Sequence, residues 1–232
     1  MKISVLVAAY NGEKYIAQQL ASILPQLGEA DELLISDDSR GPLTKEACRR
    51  FLKDPRVTYL EGPHKGIDKN KEFLLRQCTG DVAFLADQDD VWLPHKVKRV
   101  MAAIQGGACC VMHNARLTDS DLNPMGKSLF EVRHVGRGIF RNMLFNGYTG
   151  CCMALTRPTF EAALPFPEKI PMHDQWLGLV SERLGWVQFI EEPLMLWRRN
   201  EGSATGGKTS LLQKIIWRFN IAAAMLRYRK NK

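Results

Sequence analysis

The chain has 232 residues, 45% hydrophobic and 25% charged, which supplies apolar material for one sizeable core and one main domain. No run of about 18 apolar residues is present to span a membrane, and MKISVLVAAYNG turns polar too soon for a secretory leader, so the expectation is a cytoplasmic chain. The formal charge of +7 is concentrated at one end: from Lys208 onward come Lys214, Arg218, Arg227, Arg229, Lys230 and Lys232 with no anion, and the rest of the sequence is balanced.

In chain order, ISVLVAAY (3–10) is an uninterrupted apolar run of strand length. Asn11 then stands where it can cap a helix whose apolar residues Ile16, Leu20, Ile23 and Leu24 share one face. ELLISDD (32–38) predicts a second strand, TKEACRRFL (44–52) a short helix, VTYLEG (57–62) a third strand, and KNKEFLLRQC (69–78) a helix closed by Gly80. DVAFLAD (81–87) predicts a fourth strand. Strands this uniformly apolar are covered on both faces, and their alternation with helices predicts crossovers and a largely parallel sheet. The first hundred residues therefore read as a doubly wound α/β half.

In such folds ligands gather beyond the carboxyl ends of the strands. Here those ends read AAYNG, SDDSR and ADQDD, and two of the three are acidic. Asp87, Asp89 and Asp90 crowd into four positions, where like charges repel. A divalent cation such as Mg²⁺ or Mn²⁺, bridging carboxylates to phosphate oxygens, makes that crowding tolerable; a solvated acidic turn is the simpler account. The six cysteines include two adjacent pairs, Cys109–Cys110 and Cys151–Cys152, and no C-x-x-C. Neither a zinc site nor a disulfide framework is suggested, and reduced, buried thiols are expected.

VLVAAYNGEKYIAQQLASIL, ISDDS, GDVAFLADQDDVWLPHKV and HDQWL, in this order, resemble the family 2 inverting glycosyltransferases of the GT-A fold. The DQDDVW form is similar to bacterial rhamnosyltransferase-like members. The resemblance covers about residues 3–206 and implies a metal-dependent transferase moving a sugar from a nucleotide-diphosphate donor, dTDP-rhamnose or a UDP-sugar. The acceptor implied is a glycan or lipid-linked hydroxyl in cell-surface polysaccharide synthesis. It places the base and nucleotide against Ala9, Tyr10 and Asp38, with Lys69 and Asn70 nearby. Asp89 would be the Mg²⁺ or Mn²⁺ ligand, Asp87 would lie nearer the ribose or sugar, and Asp90 would support them. Asp174 would be the general base and His173, in place of the family's usual Glu, its neighbour; Trp176 follows on the same helix. The family's acceptor segment falls on Thr149, Gly150 and Cys151, within the Gly-bracketed turn and strand of NGYTGCCMALTR (146–157). PLMLWRRNEGSATG is similar to the segment after the family's last strand. Trp197, Arg198 and Arg199 are present there, the arginines as charge for the diphosphate or as plain surface residues, and Asn200 stands where His is common.

On spacing alone, Asp174 near a helix start favours the helix dipole whatever else it does. The organisation expected is a domain over 1–207, with a nucleotide-binding half to about 105 and an acceptor half over about 106–207, followed by a basic amphipathic helix over 208–232. That helix, with Leu212, Ile215, Ile216, Phe219, Ala223 and Leu226 on one face, suits an anionic membrane surface; the alternative is packing on the domain or in a homodimer. Nucleic-acid binding is not expected, since no basic patch is interleaved with aromatics. A nucleotidyltransferase is disfavoured because AAYNGEKY lacks a Gly-rich basic loop, and a non-catalytic sugar-nucleotide-binding scaffold remains the rival.

Overall fold

The computed structural model describes residues 1–199 and 210–228. Asn200, the boundary at 207 and the cations Lys208, Arg229, Lys230 and Lys232 lie outside the described residues.

The first half alternates as the hydrophobic pattern requires. In order come β1 (Ile3–Ala9), α1 (Ile16–Ile23), β2 (Glu32–Asp37), α2 (Leu43–Cys48), β3 (Val57–Glu61), α3 (Ile67–Gln77) and β4 (Val82–Asp87). These strands lie in the parallel order β3-β2-β1-β4. All seven residues of β1 are buried, as expected of a central strand covered on both faces.

The second half is mixed. It comprises β5 (Val91–Trp92), α4 (Lys96–Gln105), β6 (Cys110–Thr118), β7 (Pro124–Ser128), α5 (Leu129–Val132), α6 (Ile139–Phe145), β8 (Met153–Thr156), α7 (Arg157–Ala163), α8 (His173–Leu184), β9 (Val187–Arg198) and α9 (Leu211–Arg227). The sheet continues β4-β8-β6-β9-β5, with β7 alongside β6. β8 runs antiparallel to both β4 and β6, while β6 and β9 are parallel. The segment from Pro193 to Arg198, expected after the last strand, is instead the second half of β9. Pro193 sits opposite Asn114 where the register slips, a position at which its missing N–H costs no ladder bond.

Three local expectations are corrected. Asn11 does not cap α1: it adopts φ +49, its amide is bound by Ser39 Oγ at 2.7 Å, and the helix begins only at Ile16. Gly80 does not close α3, which ends at Gln77. Its role is close approach, because a Cβ there would lie 2.5 Å from Ser4 Oγ and 2.7 Å from Ser4 N. The helix read over 44–52 stops at Cys48 and resumes as a 3-10 turn over Phe51–Lys53.

The C-terminal helix packs on the domain through a face other than the one its sequence suggested. Ile221 and Met225 are buried, Arg183 donates to the Met225 carbonyl, and Tyr228 stacks edge-on against Trp176. Leu212, Ile215, Ile216, Phe219 and Leu226 face outward, Leu226 being 86% exposed.

Candidate active site

The carboxyl ends of β1, β2 and β4 come together because these strands are parallel and in register. Ala9 pairs with Asp37, and Ala8 with Asp87. Ala9 is buried at the end of β1. Tyr10 is exposed on the rim, its backbone held at both N and O by the Gln88 side chain. Asp38 is buried and organises the facing loop, accepting from His64 N at 3.0 Å and Gly66 N at 3.2 Å. Gly66, at φ +84, opens α3 in a conformation that suits glycine.

α3 carries three polar residues with different roles. Lys69 reaches along its own helix to Glu72. Asn70 is buried and donates to the Ser36 carbonyl, with its Oδ1 buried and unpartnered. Lys71, which the motif reading passed over, is fully buried; its ammonium donates to Ala86 O at 2.5 Å and pairs with Asp87 Oδ1 at 2.9 Å. Burial pushes the Asp87 carboxyl up, but the Lys71 ammonium outweighs it and holds the acid below its ordinary range.

Asp90 is the opposite case. Only 1% exposed, it is raised well above the ordinary carboxylate range by burial and by the charges of Asp89 and Asp87. One oxygen accepts from Arg198 N at 3.2 Å, and the other is buried without a partner. Asp87, Asp90 and Cys151 bring ligand atoms within 4.8 Å of one another. The two carboxylates are hard oxygen donors that fit Mg²⁺ or Mn²⁺. The thiol does not, and with its contact to Cys152 and burial raising it far above its ordinary value it is neither a ligand of choice nor an activated nucleophile. Asp89, the expected ligand, is half-buried and not one of these three converging groups; its carbonyl accepts from Arg198 Nε at 2.7 Å. Behind the cluster lies a second buried lysine: Lys96 donates to Cys151 O, sits 4.0 Å over the Trp92 ring, and is pulled down to about 8 by burial.

Arg198 is itself buried. Its guanidinium bonds Asp89 O, Ser120 O and Gln18 Oε1 and stacks over Tyr15, so its donors brace the acidic loop from behind. Arg199 bonds Thr118 O through its amide and stacks over Trp197.

On the facing wall, Asp174 is the second residue of α8 and 5% exposed. It accepts from Asn146 Nδ2 at 3.0 Å and Gln175 N at 2.6 Å, and burial still raises it above the ordinary range. His173 beside it bonds Asp68. Trp176 points into the core, donating to Ala163 O. The turn at Thr149, Gly150 and Cys151 joins the two walls. Cys151 touches the acidic cluster, and the backbone at Gly150 approaches His173 so closely that a Cβ would stand 2.6 Å from Nε2.

The sequence model of "Glycosyl transferase family 2" matches residues 4–163, more than half of the chain. The chain belongs to glycosyl transferase family 2. Among its relatives is a dTDP-rhamnosyl transferase, RfbG, of Shigella flexneri, 26% identical over 226 residues that cover 90% of this chain and 76% of that protein. The fold is shared with S. aureus TarS 1–349 in complex with UDP-GlcNAc, at a TM-score of 0.74 and 18% identity over 98% of this chain and 67% of that one. It is shared too with the mannosyltransferase PcManGT of Pyrobaculum calidifontis in complex with GDP-Man and Mn²⁺, at a TM-score of 0.65 and 18% identity over 97% and 73% of the two chains. As a family 2 glycosyltransferase the chain thus has the GT-A architecture that its motif order implied, with the acidic loop at the carboxyl end of β4.

Proposed function

We propose that the chain is an inverting transferase, taking a sugar from a nucleotide diphosphate bound over Ala9, Tyr10, Asp38 and Asn70 to a hydroxyl delivered at Asp174. One observation carries this reading: Asp174 is a buried carboxyl held above its ordinary range beside His173, whose ring meets the same 149–151 turn that brings Cys151 to the acidic cluster. The donor is dTDP-rhamnose or a UDP-sugar, and the acceptor a glycan or lipid-linked hydroxyl of cell-surface polysaccharide.

Asp174 removes the acceptor proton as the hydroxyl attacks the anomeric carbon from the face opposite the diphosphate, which inverts the configuration and needs no covalent nucleophile. Asn146 holds the carboxylate oxygen in place. Lys71 keeps Asp87 ionised at the donor edge, and Arg198 fixes the backbone of Asp89. A divalent cation held by the converging carboxylates of Asp87 and Asp90, with Asp89 beside them, would supply Lewis-acid stabilisation of the departing diphosphate.

Two variants test the reading. With UDP, dTDP and GDP as probes in calorimetry with and without Mn²⁺, Asp89→Asn is expected to lose the metal-enhanced part of binding. Asp174→Asn should bind nucleotide within about twofold of wild type but turn over about 10²-fold to 10⁴-fold more slowly. Wild-type turnover in Asp174→Asn would reduce Asp174 to a helix-terminal acid.

A further inference from the structure

We propose that Asp68 is a positioning residue for the acceptor side: it clamps His173, and with it the first turn of α8 that carries Asp174, to the helix that reaches the nucleotide strands. The inference rests on the reading of Asp174 as the base.

Asp68 is the second residue of α3, and His173 the first of α8, 105 residues away. One carboxylate oxygen of Asp68 accepts from His173 N at 2.9 Å and lies 2.8 Å from His173 Nδ1. α8 has no cap of its own, because Met172 at the N-cap position offers no side-chain acceptor. The missing cap is supplied by another helix. A carboxylate oxygen accepts in this contact, so Nδ1 carries a proton toward Asp68, and the other ring nitrogen, Nε2, points away from it. That Nε2 is buried without a hydrogen-bond partner among the described residues and faces the backbone of Gly150. The ring is therefore wedged between α3 and the 149–151 turn, and a side chain at position 150 would drive it out.

The other end of the clamp is equally fixed. Asn70 is tied to the end of β2 through Ser36 O, and Lys71 to the end of β4 through Ala86 O and Asp87. A shift of the α8 first turn away from the acidic loop has to break the Asp68 contact or drag α3 off the strand ends. Asp68 thus sets the spacing between the proton acceptor and the donor edge, which a simple helix cap on the far side of α8 would not do.

The test compares Asp68→Ala and Asp68→Asn with the wild-type full chain, using UDP and dTDP with Mn²⁺ as binding probes, turnover of the donor and acceptor on which wild type is active, and NMR of the His173 ring. Asp68→Ala is expected to lower kcat about 10-fold to 100-fold while nucleotide affinity stays within about twofold, and to abolish the protected Nδ1 proton resonance. Asp68→Asn keeps an acceptor oxygen and should show a smaller kcat loss with the ring proton retained but shifted, so it carries the test should the alanine variant not fold. Wild-type kcat in either variant overturns the proposal, as does a loss of nucleotide affinity equal to the loss in kcat. No transfer by wild type from any sugar nucleotide would instead overturn the base assignment, and a wild-type His173 ring without a protected Nδ1 proton would overturn the clamp itself.

Discussion

Asp174 and Asp90 are both acids that burial holds above the ordinary carboxylate value of 3.8. A group that binds its proton more tightly folded than unfolded favours the native state at low pH, and that advantage is lost as pH climbs from the unfolded value through the raised one. At neutral pH both acids therefore cost the apo protein stability. Asp174→Asn, measured in EDTA, should melt above wild type at pH 7, by about 2–4 °C for each ~1 kcal/mol recovered, and the difference should close as pH falls toward 4. A variant that melts below wild type at pH 7 would mean that the Asn146 and Gln175 bonds outweigh the desolvation cost. With Asp174 as the proposed base, the acid limb of the turnover profile is expected above the ordinary carboxylate range, to be read from kcat against pH. At this scale the acidic motifs were visible in the sequence, since charge and position after an apolar run show in one dimension, but that Asp90 and not Asp89 converges with Asp87 was not. Lys71 escaped because the family's polar pair falls on Lys69 and Asn70. The available signal was helical: Lys71 shares a face with Leu74, Leu75 and Cys78, all buried. A lysine on the apolar face of a helix calls for an acid beneath it.

Individual elements show where local patterns sufficed. β1, β2 and β4 were legible because a strand buried on both faces writes an unbroken apolar run. β9 was not, because Glu191, Glu192 and Pro193 interrupt it where its register against β6 slips. Gly80 illustrates a residue whose reason lies across the sheet. Gly80→Ala forces a methyl against the backbone of the central strand and is expected to cost about 1–3 kcal/mol. Gly41→Ala, where the methyl meets nothing within 4 Å, should stay within about 0.5 kcal/mol. Urea unfolding of the two variants checks the contrast, and equal midpoints would show that Ser4 can yield.

For the molecule as a whole, the outward face of α9 is the feature that its own packing does not consume. Phe219 and Leu212 are 73% and 67% exposed. On α6, which packs against α9 and whose Leu144 carbonyl accepts from Arg218, Phe140 and Phe145 are exposed as well. With Lys214, Arg218 and Arg227 on α9, this surface suits anionic lipid, and no described helix is long and apolar enough to cross a membrane. Replacing Leu212 and Phe219 together by Asp should abolish sedimentation with phosphatidylglycerol vesicles and leave nucleotide affinity unchanged. Undiminished sedimentation would remove this face from membrane binding. Deleting α9 is the poorer experiment, because it strips Ile221, Met225 and Tyr228 from α8. The amphipathic helix was legible in the sequence; which face it buries was not, since both sides of the helix carry apolar residues and only the groove beside Trp176 decides between them.

The bracing of the acidic loop also bears on how the protein is made. Among the described residues β5, immediately after Asp90, pairs in the sheet with β9 alone, and Arg198 at the end of β9 reaches back to Gln18, Asp89 and Ser120. These contacts close over as many as 180 residues, so they form late whatever the order of earlier events. During synthesis from the N-terminus, the parallel half can settle as soon as β4 has emerged, while the loop bearing its three aspartates waits for a strand nearly a hundred residues further on. Bracing of the acidic loop is therefore coupled to synthesis of β9, and a ribosome stalled before residue 198 holds a parallel half whose acidic loop still lacks its brace.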